Sequence, residues 1–79
     1  MRIEYEKGAV KYIEAQDRPT KQRLKKAIEK LPDGDVRKLQ GYKNDYRLRV
    51  GDLRVLFSVN DDIITVKGVL PRGQAYKRL

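Results

Sequence analysis

The sequence contains no cysteine, no histidine and no tryptophan, and only one phenylalanine among its 79 residues. Without cysteine there is neither a disulfide framework nor a thiolate metal site. Without histidine the chain also lacks the usual acid–base group near neutral pH and the commonest metal ligand. A core in this size range supplies only about 3–5 kcal/mol without such staples. The fold must therefore rest on a small apolar core alone.

Long apolar runs are missing as well. No run approaches the roughly 20 residues that a transmembrane helix needs. The N-terminal residues Met1–Glu6 carry acids where a secretory signal would have its apolar region. These absences predict a cytoplasmic protein. The sequence also has no internal repeat and no Ser/Gly/Pro-rich linker, which predicts one domain spanning residues 1–79.

Positive charge is abundant, with 19 lysines and arginines against 11 acids and a formal net charge of +8. An excess of this size on a short chain favours a polyanionic partner: a nucleic acid, an anionic membrane or an acidic protein. A membrane is disfavoured as the partner. The predicted second helix, which carries many of the bases, is short, and its apolar face is needed for the core.

The first half of the chain predicts a strand over residues 1–5 and two helices. After Gly8, the residues Ala9, Val10, Tyr12 and Ile13 recur at helical spacing to about Gln16. Asp17 and Pro19 then form a typical helix start. The second helix has apolar residues at i, i+3, i+4 and i+7: Leu24, Ala27, Ile28 and Leu31.

The second half predicts three strands. Turn formers at residues 32–35 end the second helix, and Val36 and Leu39 indicate a short connection. From Tyr46 the apolar period changes to two, with a tight turn at Gly51 that predicts a hairpin. The near-continuous apolar run from Ile63 to Leu70 predicts a central strand. The expected fold is α+β, order β-α-α-β-β-β, with two helices on one face of a small antiparallel-rich sheet.

Three arginines are expected on the face of this sheet that points away from the helices. Arg47 and Arg49 alternate with apolar residues, and Arg54 alternates in the paired strand. One interpretation is a solvent-exposed sheet face, which needs polar residues. The other is a bound polyanion, which would relieve the repulsion between the like charges. The pattern alone leaves both interpretations open.

The same residues resemble a known family. The run Leu39-Gln40-Gly41, the segment from Tyr46 to Phe57 (YRLRVGDLRVLF), a strand ending before Pro71-Arg72 and a late Tyr76 resemble toxins of the RelE/ParE superfamily over nearly the whole chain. The RelE branch cleaves mRNA in the ribosomal A site, and the ParE branch poisons gyrase. The resemblance implies a cognate antitoxin as partner and no metal or other cofactor.

Membership of the RelE branch would assign roles to individual residues. The implied catalytic residues are Arg49, Arg54, Arg72 and Tyr76, and the implied RNA-binding residues are Lys43, Arg47, Arg49 and Lys77. Arginine is a poor base, so either Tyr76 is the general base or binding strain and ribosomal groups supply that step. Five of these positions match the family's basic residues and tyrosine: Arg47, Arg49, Arg54, Arg72 and Tyr76. All five are filled, which favours the ribonuclease over a gyrase poison. A non-catalytic nucleic-acid-binding module is the third hypothesis.

Overall fold

The structure, a computed structural model, describes residues 2–39 and 44–71. Two helices follow the first strand, and four further strands complete the sheet. Their bounds are β1 Arg2–Tyr5, α1 Lys7–Glu14, α2 Arg18–Glu29, β2 Val36–Lys38, β3 Asp45–Val50, β4 Leu53–Asn60 and β5 Ile63–Pro71. No helix in these two ranges is long and apolar enough to cross a membrane.

The five strands form one sheet in the order β1-β5-β4-β3-β2. β1 runs parallel to β5, and the other three pairings are antiparallel. Buried residues of both helices share one core cluster with alternate residues of the strands, so both helices lie on the same face of the sheet. The predicted α+β class and the antiparallel-rich sheet are confirmed.

The structure adds one strand to the predicted order and moves the centre of the sheet. Residues that were expected to form a connection are β2, in which Val36 lies opposite Leu48. The pattern missed it because only three residues pair and only Val36 is partly buried. β5 is an interior strand, but the middle strand is β4, and residues 54–58 of β4 are all buried.

The start of α2 has residues that favour helix initiation. Asp17 is the N-cap of α2, and Pro19 lies in the first turn, where its missing N–H costs nothing. α1 begins at Lys7 and ends at Glu14, about two residues before the predicted Gln16. Val10, expected on the apolar face of α1, is 43% exposed.

The core between helices and sheet is built on Phe57, which is 1% exposed. Its ring stacks on that of Tyr46, its partner in the β3–β4 register, with centroids 5.5 Å apart. Leu24 and Ile28 of α2 complete this packing and are fully buried. Gly51 makes the β3–β4 turn with a φ of 59°, a conformation that glycine adopts without the strain a side chain would add.

Candidate nucleic-acid interface

The sheet has an outer face, opposite the helices, to which the register brings the three predicted arginines. Leu48, Val50, Val55 and Phe57 point into the core, so the residues that alternate with them point outward. Arg49 lies directly opposite Arg54 in the β3–β4 pairing. Arg47 lies two residues from Arg49 on the same strand and therefore on the same face.

A fourth arginine joins this outer face. Arg37 lies opposite Arg47 in the β2–β3 pairing, so the face carries two arginine–arginine pairs side by side. Sequence reasoning missed Arg37 because β2 was not recognised as a strand. The available signal was the change from apolar Val36 to charged Arg37. If these residues are assumed to form a strand, their side chains lie on opposite faces of the sheet.

Arg54 is the most unusual of the four, since its side chain is buried. The residue is 9% exposed, and its Nε and Nη1 atoms find no hydrogen-bond partner within the described ranges. A buried, unsatisfied donor costs free energy, and an arginine keeps its charge in proteins. Such a group is suited to hold an anion that supplies the missing acceptors.

The described residues around Arg54 are apolar, which lowers the local dielectric. Leu70 lies opposite Arg54 on the β5 side, and Leu56 and Leu39 form a small buried cluster with it. Asp45, at the start of β3, is bound to Lys67 with its Oδ1 atom 3.2 Å from Nζ. In an apolar setting a guanidinium attracts an anion more strongly than it would in water.

The exposed arginines Arg37 and Arg49 each lie directly opposite another arginine. Within residues 2–39 and 44–71, neither Arg37 nor Arg49 forms an ion pair. Like charges directly opposite one another on neighbouring strands are destabilising. The arrangement therefore favours a bound polyanion over a merely solvated face.

Four of the predicted site residues lie outside the described residues: Lys43, Arg72, Tyr76 and Lys77. Their roles stay predictions. Within the described residues no group of three or more acids could hold a metal ion.

Comparison with known proteins decides the family. A family model for the ParE toxin of type II toxin–antitoxin systems matches residues 3–76. The chain is also 32% identical to Toxin RelE3 of Methanocaldococcus jannaschii, over 96% of each chain. This chain belongs to the RelE/ParE toxin superfamily. It is thus a toxin of a type II toxin–antitoxin system, as the motif between Tyr46 and Phe57 indicated.

Solved structures of RelE/ParE toxins share its fold. The crystal structure of the RelB–RelE antitoxin–toxin complex from Methanococcus jannaschii matches with a TM-score of 0.79 and 30% identity, covering 96% of this chain and 98% of that one. The archaeal RelE–RelB complex from Pyrococcus horikoshii OT3 matches with a TM-score of 0.74 and 33% identity, covering 94% and 97%. Both are complexes of a toxin with its antitoxin.

Proposed function

We propose that this toxin is an endoribonuclease of the RelE type, which cleaves mRNA in the ribosomal A site and thereby inhibits translation. The observation that carries the proposal is the buried guanidinium of Arg54, with two donor atoms lacking partners in the described part of the chain and Arg49 directly opposite. Non-bridging phosphate oxygens supply the acceptors that this group lacks.

The reaction needs no nucleophile from the protein, because RNA carries its own 2′-hydroxyl. The 2′-oxygen attacks the adjacent phosphorus, the bond from phosphorus to the 5′-oxygen breaks, and the products are a 2′,3′-cyclic phosphate and a free 5′-hydroxyl. One proton leaves the 2′-hydroxyl and one is added to the 5′-oxygen. Negative charge accumulates on the phosphate in the transition state, where a fixed cation in a dry site is most effective.

Each arginine has a distinct proposed role. Arg54 binds the non-bridging oxygens of the scissile phosphate and stabilises their developing charge, and Arg49 assists it from the neighbouring strand. Arg47 binds the RNA backbone, and Arg37, in line with it on β2, extends that contact. Backbone contacts of this kind position the RNA without reading its sequence.

The remaining roles rest on the family motif. Arg72 stabilises the leaving oxygen, and Tyr76 orients the nucleotide and acts as the general base. Lys43 and Lys77 add contacts to the RNA. The chemistry as written proceeds without a metal or other cofactor.

A cognate antitoxin is the proposed protein partner, since the relatives of known structure are complexes of RelE with RelB. The net charge of +8 favours an acidic segment in that partner. The ribosome and mRNA are the proposed targets, in the cytoplasm.

The test is cleavage on translating ribosomes with a defined mRNA, mapping new 5′ ends by primer extension. Wild type is expected to cut in the A site, and Arg54→Ala to lose at least about a hundredfold in rate because it removes a preorganised donor. Lys26→Ala, on an exposed position of α2, is the matched control and keeps its rate. Equal rates for Arg54→Ala and wild type would remove Arg54 from the site.

A gyrase-directed toxin is the second candidate, because the matching family model carries the ParE name. It predicts DNA cleavage complexes with purified gyrase and no new mRNA ends. The same Arg54→Ala variant distinguishes the two functions. In the ribonuclease it lowers the rate of mRNA cleavage, whereas a toxin that only blocks gyrase has no mRNA cleavage to lose.

A further inference from the structure

One ion pair on the outer face of the sheet joins two strands that are not neighbours. Asp45 of β3 and Lys67 of β5 lie on either side of β4, and Oδ1 of Asp45 is 3.2 Å from Nζ of Lys67. The contact therefore passes over β4, where Ser58 lies directly opposite Asp45 and is only 5% exposed. Both charged side chains are themselves partly exposed. Their charges are thus available to a ligand on this face.

Lys67 takes its place in this pair at a β-bulge. The register between β4 and β5 shifts between Leu56 and Phe57, which leaves Lys67 as the extra residue of β5. A bulge interrupts the ladder, and bulges beside active sites serve to re-aim a side chain. A partly exposed ion pair adds little stability in return. A ligand therefore explains the placement of Lys67 beside Asp45 better than the stability of the sheet does.

The outer face has room for a flat ring between this ion pair and the Arg49–Arg54 pair. The row of outward residues between them contains Leu56, which is buried and lies opposite Gly68 of β5. Gly68 has no side chain, and a Cβ atom there would meet nothing within 4 Å. An apolar residue beside open space provides a surface on which a nucleobase can lie.

The spacing of the two charged ends suits one nucleotide. Asp45 lies four residues before Arg49 on β3, which is about 13 Å along the strand at about 3.3 Å per residue. The length of the arginine side chain covers part of this interval. A nucleotide whose phosphate is bound by Arg49 and Arg54 covers the rest with its sugar and base, so that the edge of the base meets the ion pair.

The donors and acceptors of the ion pair match one base. A carboxylate only accepts hydrogen bonds, and an ammonium group only donates them. The Watson–Crick edge of guanine presents the carbonyl oxygen O6 and, beside it, N–H donors at both N1 and N2. Adenine, cytosine and uracil each present only one donor group on that edge. Guanine alone can therefore engage both oxygens of Asp45 while its carbonyl faces Lys67.

We propose that Asp45 and Lys67 bind a guanine base of the RNA. Lys67 donates a hydrogen bond to O6, and the two carboxylate oxygens of Asp45 accept hydrogen bonds from N1 and N2. Proteins read single-stranded RNA through hydrogen bonds of this kind to the edges of unstacked bases. The choice of RNA as the ligand rests on the proposed function, whereas recognition of the base does not depend on cleavage.

The first test compares three short oligouridines that differ at one central position, which is guanine, inosine or adenine. Fluorine replaces their 2′-hydroxyls, so the RNA has no nucleophile and stays intact. Wild type is expected to bind the guanine RNA at least about tenfold more tightly than the adenine RNA. Inosine lacks only the N2 amino group, so its RNA should bind with intermediate affinity. Equal affinities for the three, or no binding of any of them at low salt, would overturn the proposal.

The second test repeats this comparison with variants of the toxin. Asp45→Asn replaces one acceptor by a donor and is expected to reduce the preference for guanine over adenine to within about twofold. Lys67→Met removes the donor to O6 and should reduce the preference at least about threefold. The matched control is Glu4→Gln, because Glu4 lies opposite Thr65 in the same sheet and its carboxylate is bound to Arg2. This variant keeps the wild-type preference.

The ratio of two affinities is the decisive measurement, because loss of a carboxylate changes the attraction to all RNA alike. A preference that survives in Asp45→Asn, or that Glu4→Gln abolishes as well, would overturn the proposal. A toxin that cleaves mRNA on ribosomes but binds the three RNAs equally would refute the guanine site alone. A toxin that cleaves no mRNA yet distinguishes guanine through Asp45 would refute the proposed function and leave the guanine site standing.

Discussion

At the scale of single residues, Arg54 combines a cost to stability with a proposed gain in function. Its buried Nε and Nη1 lack partners in the described part of the chain, so the folded protein contains a desolvated charge. Burying such a group without compensation is unfavourable. Sites that destabilise the fold in this way often serve a function.

This cost predicts that removing the charge stabilises the protein. Arg54→Met keeps much of the apolar stem and is expected to raise the free energy of unfolding by about 1–3 kcal/mol, measured by urea unfolding. Arg49→Met, at an exposed position, should change it by less than about 0.5 kcal/mol. Loss of stability in Arg54→Met would mean that the guanidinium is better satisfied than the described contacts indicate.

At the scale of elements, the sequence predicted the elements whose apolar residues repeat over many positions. It missed the strand that exists only through pairing with a neighbouring strand. α2 was predictable because four apolar residues keep helical spacing behind a proline-marked start. β2 was not, because its three residues are a strand only through their pairing with β3. That single omission also hid Arg37, so the predicted outer face carried three arginines where the structure has four.

A packing contact between elements also has a measurable consequence at high pH. Tyr5 of β1 lies beside α2, where burial and, to a lesser degree, the charge of Glu29 raise the pKa of the phenol above its ordinary 10.0. A phenol with a raised pKa holds its proton more tightly in the folded state. Its contribution to stability is complete below pH 10.0 and is lost as pH rises through the raised value.

We therefore expect the free energy of unfolding to fall more steeply above pH 10.0 in wild type than in Tyr5→Phe. Urea unfolding across this range measures both slopes. Glu29→Gln removes the smaller of the two causes and should give an intermediate slope. Since lysines and other tyrosines titrate in the same range, only the difference between variants carries the argument, and parallel curves for wild type and Tyr5→Phe would contradict it.

At the scale of the whole molecule, charge is distributed so that both faces of the fold are basic. The outer face of the sheet carries the arginine pairs, and the exposed side of α2 carries further bases, among them Arg18, Arg23, Lys25 and Lys26. Composition predicted the excess, but only the sheet register shows that one part of it is concentrated around a buried guanidinium. A net charge far from zero also destabilises a compact state through self-repulsion.

Salt should therefore stabilise the free toxin and weaken its binding to RNA. Raising NaCl from about 0.01 M to about 1 M shortens the screening length from about 30 Å to about 3 Å, which reduces repulsion within the folded chain. The free energy of unfolding should rise over this range, whereas affinity for RNA should fall because releasing counterions into a more concentrated salt solution gains less entropy. Arg37→Gln should make the salt dependence of RNA binding shallower by about one phosphate contact, while Arg18→Gln on α2 leaves that slope unchanged. Equal slopes for wild type and Arg37→Gln would exclude the phosphate contact proposed for Arg37 on β2.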